Sequence, residues 1–148
     1  MTTTARSLGA HALLLALTLL PSLARAEDKP LATADTNMKA TAEIYECKRK
    51  EGVLTIKVRF KATSDTYIGL SSSLVYVLDV AAGKKYEVLR DSEKRPLATA
   101  EHVRVYPKAG ETTKAWWKFP APPAKTKKVT FSLPNCEPFE DVPITDAP

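Results

Sequence analysis

Two cysteines, two histidines and five glycines are all that this 148-residue chain holds of three functionally telling residue types. Each scarcity excludes something. The glycines are scattered singly, so no glycine-rich loop is available to cradle a phosphate. There is no Gly-x-Ser-x-Gly elbow for a serine nucleophile, no Cys-x-x-Cys pair and no clustered histidine to hold zinc or copper. Long hydrophobic runs are missing too. The longest, at residues 12–20, is about nine residues, whereas a membrane span needs about 20. No internal repeat and no tail of one charge sign is visible. What remains is 44% hydrophobic and 26% charged, which is one ordinary folding domain and too apolar for a chain of the disordered class.

The short apolar run has a meaning of its own. Arg6 is the only charge before it, Pro21 follows it, and the small-residue pattern Ala24-Arg25-Ala26 precedes Glu27-Asp28. A brief apolar segment enters the translocon, proline breaks its helix, and small side chains suit the peptidase subsites. Residues 1–26 are therefore expected to be a signal peptide cleaved after Ala26, with no transmembrane anchor left once it is removed. Residues 27–38 are read as a flexible N-terminal segment and residues 39–148 as the domain. Cleavage removes Arg6 and Arg25, leaving 20 of the 22 basic side chains against 17 acidic ones, a formal charge of +3. So modest a charge on an exported protein calls for no nucleic-acid partner. His11 is also lost, and His102 is left alone.

The remainder reads as strands. Leu54, Ile56, Val58, Phe60 and Ala62 alternate with Thr55, Lys57, Arg59 and Lys61, a period-2 pattern with a charged outer face. Lys50-Glu51-Gly52 is a turn before it, and residues 40–48 make the preceding strand of a hairpin. Residues 73–80 form a nearly continuous apolar run expected to be a central strand buried on both faces. Residues 85–89 return after an Ala82-Gly83 turn. Residues 90–101 form an exposed loop, and residues 102–106 a short strand. In residues 112–119 Ala115, Trp117 and Phe119 face inward, with Trp116 outward as a contact candidate. Residues 128–133 are the last clear strand, and residues 139–144 add an edge segment. About seven strands with no helix define an all-β, antiparallel β-sandwich of the immunoglobulin-like kind, with a small closed barrel as the alternative.

An even cysteine count in an exported domain reads as a bridge between Cys47 and Cys136, across the first and last strands. Such a bridge would close about 90 residues and stabilise by about 4 kcal/mol. Lysines and arginines gather at Lys48-Arg49-Lys50, Lys84-Lys85, Lys94-Arg95 and residues 125–128. They either keep strand edges from pairing or form a footprint for an anionic envelope polymer or lipid headgroups. The candidate binding surface is Tyr86, Lys84, Lys85, Arg90, Lys94 and Arg95, together with Trp116.

The segments Gly83-Lys84-Lys85-Tyr86, Leu89-Arg90-Asp91 and Pro96-Leu97, followed by Phe119-Pro120-Ala121-Pro122-Pro123 and Pro138-Phe139-Glu140-Asp141-Val142-Pro143-Ile144, resemble a family of uncharacterised bacterial secreted domains. The resemblance covers most of the chain after residue 26. It implies an immunoglobulin-like envelope domain, followed in some relatives by a peptidoglycan-binding domain of the outer-membrane-protein-A type; no such second domain is expected before Pro148. It supplies no catalytic residue. The expected function is a non-enzymatic binding or scaffolding module, periplasmic or extracellular, without cofactor or metal, whose partner is an envelope protein or an anionic envelope polymer. Two alternatives stand beside it: a small hydrolase or metal-handling protein centred on His102, and a secreted inhibitor presenting residues 91–96.

Overall fold

The computed structural model describes residues 29–148. The expected signal peptide and its cleavage point after Ala26 lie outside the described residues. The fold is all-β. Among the described residues the eleven strands are β1 (Ala32–Asp35), β2 (Ala40–Lys50), β3 (Val53–Ala62), β4 (Ile68–Ser71), β5 (Tyr76–Asp79), β6 (Lys84–Glu87), β7 (His102–Val105), β8 (Thr112–Pro120), β9 (Lys128–Ser132), β10 (Phe139–Pro143) and β11 (Thr145–Asp146). The first sheet runs β1-β2-β3-β8, with β11 also on β2; the second runs β10-β9-β5-β6; β4 and β7 form a separate ribbon. All pairings are antiparallel except the short parallel contact of β11 with β2.

Alternation dictates which faces meet. Leu54, Ile56, Val58 and Phe60 of β3 and Ala115, Trp117 and Phe119 of β8 are all buried, as their shared parity requires. Trp117 and Phe119 each come within 6.0 Å, ring centroid to ring centroid, of Phe131 on β9, joining the first sheet to the second. Phe131 in turn lies 6.0 Å from Phe139 on β10. Those rings form the centre of a β-sandwich core. The β2–β3 turn has the two-residue length that suits a tight hairpin, with Glu51 at φ 49° and Gly52 at φ 77°. Positive φ at both central residues matches the right-handed twist of the flanking strands.

Four expectations need correction. Residues 32–35 are a strand and not part of a flexible segment: β1 pairs residue by residue with β2 from Ala32↔Ile44 to Asp35↔Thr41, and Met38 is buried. The run at residues 73–80 is not one strand buried on both faces. Ser72–Leu74 forms a 3-10 turn, Leu74 is exposed, and β5 begins only at Tyr76, with Tyr76 and Leu78 half-buried. Ser72 explains the break, because its hydroxyl donates to Ala100 O (2.6 Å) and accepts from Trp117 Nε1 (3.0 Å), pinning the chain crossing at that point.

The Cys47–Cys136 bridge is not formed, and both thiols are free. Cys47 points into the core opposite Ile56, in the later half of β2. Cys136 bridges Thr36, beside the beginning of β2, where Asn37 N also donates to Asn135 O (3.0 Å). The seven-residue advance along β2 puts the two roughly 20 Å apart at about 3.3 Å per residue. A disulfide needs Cα atoms within about 7 Å. Burial pushes the Cys47 thiol up to about 12 and the Cys136 thiol up to about 11, so both stay protonated at neutral pH.

The fourth correction is Tyr86. The sequence reading puts it on a binding surface, yet it is buried opposite Val77, because its parity matches that of the buried Val88.

Candidate functional site

The side of the first sheet that faces away from the core is built by the same alternation that builds the core. Across β2, β3 and β8 the outward residues fall into rows: Lys48, Thr55 and Lys118; then Glu46, Lys57 and Trp116; then Glu43, Arg59 and Lys114. Lys50 and Lys61 stand at the two ends. A bulge between Ile44 and Glu46 inserts Tyr45 as an extra residue in β2. Its ring lies 5.9 Å from both the Arg59 guanidinium carbon and Lys114 Nζ. Seven cations therefore share this face with the carboxylates Glu43 and Glu46, and with Asp35 at the β1 edge.

The carboxylates are already engaged. Glu43 takes the Arg59 guanidinium and lies 3.3 Å from Lys61 Nζ, while Glu46 accepts from Lys57 Nζ at 3.0 Å. Burial pushes the Glu43 carboxyl up, but its hydrogen bonds and charge attraction to Arg59 and Lys61 outweigh this and hold it below the ordinary value of 4.5. Lys48, Lys50, Lys114 and Lys118 have no carboxylate partner among the described residues. Lys48 and Lys118 are two strands apart, about 10 Å, and Lys114 and Lys118 are four residues apart, about 13 Å. The Debye length at physiological salt is about 8 Å, so these charges act on a ligand partly in concert.

Trp116 stands among them, 37% exposed, with Lys118 Nζ 5.9 Å from its indole centroid. Its backbone is fixed on both sides. β3 pairs with it on one edge, and on the other Trp116 N donates to Thr99 Oγ1 (2.8 Å) while Thr99 N donates to Trp116 O (2.9 Å). A large ring on a rigid strand loses little freedom when something lands on it.

The other expected surface residues are dispersed. Lys84 and Lys85 lie on edge strand β6, where Lys84 Nζ sits 5.0 Å from the Tyr86 ring and Lys85 faces Glu87 and the Tyr76 ring. With Arg90 and Pro120 they line a shallow groove of about 630 Å³. Arg90 is engaged by Glu101 (2.9 Å) and the Lys94 carbonyl (2.7 Å), and Arg95 by Asp91 and Glu93. Asp91 is the hub of that loop, accepting from Glu93 N, Arg95 N and Arg95 Nε at 2.9 Å each, and Lys94 adopts φ 63° at its tip. Trp116 does not share this groove.

His102 is exposed on the β4–β7 ribbon opposite Ser71. Among the described residues no group of three or more His, Cys, Asp or Glu side chains is placed to hold a metal ion.

A further groove, about 660 Å³, lies between the β5–β6 turn and residues 125–130. Its carboxylates have internal duties: Asp79 accepts from Thr126 Oγ1 (2.6 Å) and Ala82 N (3.1 Å), and Asp141 faces Lys128. The Thr126 hydrogen bond holds the Asp79 carboxyl below its ordinary value.

The chain matches no family model, no curated protein and no solved structure.

Proposed function

We propose that this protein is an exported, non-enzymatic binding module of the bacterial envelope, an immunoglobulin-like sandwich that holds an anionic envelope polymer against the outer face of its first sheet. The observation that carries this reading is the set of lysines at positions 48, 50, 114 and 118, which have no carboxylate partner among the described residues and surround an exposed, backbone-locked tryptophan. Lysines that served only to block strand edges would sit on edges. Lys118 and Lys114 instead project from the face of a strand paired along β3, next to an aromatic ring. Exposed ammonium groups keep most of their hydration, so the attraction acts through summed charge and weakens with salt.

Titration of the exported form with sodium polyphosphate and with hyaluronan oligomers tests the reading. Saturable binding that weakens as salt rises is expected with at least one of them. No saturable binding to either at low ionic strength overturns it. Export has its own test: the intact mass of the exported protein should begin at Glu27, and retention of residues 1–26 at steady state would contradict it.

A further inference from the structure

Charge alone does not distinguish one polyanion from another, but the spacing of this face does. We infer, resting on the reading just given, that the ligand is an acidic polysaccharide with acid groups separated by neutral sugar, one ring of which stacks on Trp116 while its acid groups meet the flanking lysines. Three observations carry this.

The first is charge density. Of the lysines without carboxylate partners, Lys48 and Lys50 stand about 7 Å apart on the strand lattice and the other neighbours about 10–13 Å. A nucleic-acid strand presents a phosphate about every 3.4 Å of axis. Most charges of such a chain would have no cation opposite, and some would approach Glu46, which lies between the Lys48–Lys118 and Lys114 rows, or Glu43, which shares the Lys114 row. An anion with sparse charges leaves none of that repulsion uncompensated.

The second is the ring. Trp116 occupies the position midway between Lys114 and Lys118 on β8. A polyphosphate has no apolar face to place against an indole, whereas a pyranose presents a face of C–H groups between its acidic neighbours. The ring is already held in place through Thr99 and β3, so stacking requires no ordering of the backbone.

The third is the hydrogen-bonding surround. Thr55 lies between Lys48 and Lys118, and Glu46, one oxygen of which takes Lys57 Nζ, shares the Trp116 row. Hydroxyl and carboxylate groups beside an aromatic suit the alternating donors and acceptors of sugar hydroxyls. A lipid headgroup layer would use the cations but not this surround.

The test uses the mature chain and three probes at matched total charge: a hyaluronan decasaccharide, whose carboxylates alternate with neutral sugars, sodium polyphosphate, and a single-stranded oligothymidylate. Fluorescence of the exposed indole and calorimetry report binding. Hyaluronan should bind tightest. Trp116→Ala should weaken it by about tenfold, and Trp116→Phe should recover most of the loss, with the thermal midpoint of each variant near that of the parent. Equal or tighter binding of polyphosphate, or an unchanged hyaluronan affinity in Trp116→Ala, would overturn the polysaccharide inference while leaving the anionic-polymer reading standing. Tighter binding of oligothymidylate would replace it with a nucleic-acid ligand. Failure of all three probes to bind would remove both.

Discussion

Trp116 and Trp117 are neighbours in sequence and opposites in environment. Trp117 is fully buried, donates to Ser72 Oγ and packs on Phe131; Trp116 is exposed among lysines. The same contrast extends across the first sheet. One side of β2, β3 and β8 is apolar and faces the second sheet, and the other is cationic and faces solvent. Because a strand turns successive side chains to opposite faces, a single stretch of sequence specifies both surfaces at once. Stability should therefore reside on one side and ligand contact on the other, with little exchange between them.

The largest effect should come from the inner side. Trp117→Ala is expected to lower unfolding free energy by about 3–5 kcal/mol, read by urea denaturation, because it opens a cavity beside Phe131 and removes the donor to Ser72. Trp116→Ala should change stability by no more than about 0.5 kcal/mol. Comparable losses in the two variants would break the comparison.

Arg49 sharpens it as the one cation on the inner side of this sheet among the described residues. Its guanidinium donates to the carbonyls of Pro122 (3.1 Å), Pro123 (2.7 Å), Ala124 (3.3 Å) and Thr126 (3.2 Å), and pairs with Asp146 on β11. The proline-rich connector and the C-terminal strand are thus both anchored to β2. Arg49→Met retains the length and removes every donor, and should cost about 2–3 kcal/mol. Proteolysis should then begin near residues 122–126, and an unaltered cleavage pattern would argue against the anchoring role.

A smaller effect concerns pH. The Glu43 carboxyl is held below its unfolded value of 4.5, so the unfolded chain binds more protons in that range. Its contribution is complete above about 4.5 and is lost as pH falls through the folded value. Glu43→Gln should reduce the acid sensitivity of the thermal midpoint. An identical pH profile in the variant would show that the Arg59–Glu43–Lys61 group does not act this way.

The smallest effect should be that of a reductant. With both thiols free, dithiothreitol should leave the melting temperature unchanged. Iodoacetamide should modify the half-buried Cys136 before Cys47, whose reaction awaits unfolding. A disulfide-linked peptide would contradict the strand arrangement.

These residues also show how far the sequence was legible. The parity of β3 and β8 could be read directly, including the inward Trp117 and outward Trp116, because both strands are long and strictly alternating. The small-residue strand β1, the glycine-interrupted β4 and the two-residue β11 carry too weak a pattern to read. The cysteine pairing failed because an even count speaks of compartment, and distance depends on which sheet each strand joins. Tyr86 carries its own signal, since Val88 shares its parity and marks it as inward. Lys48, Lys114 and Lys118 were all visible in the sequence. Their convergence was not, because it rests on β3 lying between β2 and β8, a pairing between residues about 60 apart in the chain.

The most direct measurement is therefore made on the outer side alone. Replacing Lys48, Lys50, Lys114 and Lys118 together by Gln should leave the thermal midpoint within about 2–4 °C of the parent, yet abolish saturable binding of hyaluronan at low salt. Retention of binding with a normal salt response in a fully folded variant would contradict the assignment of this face as the ligand site.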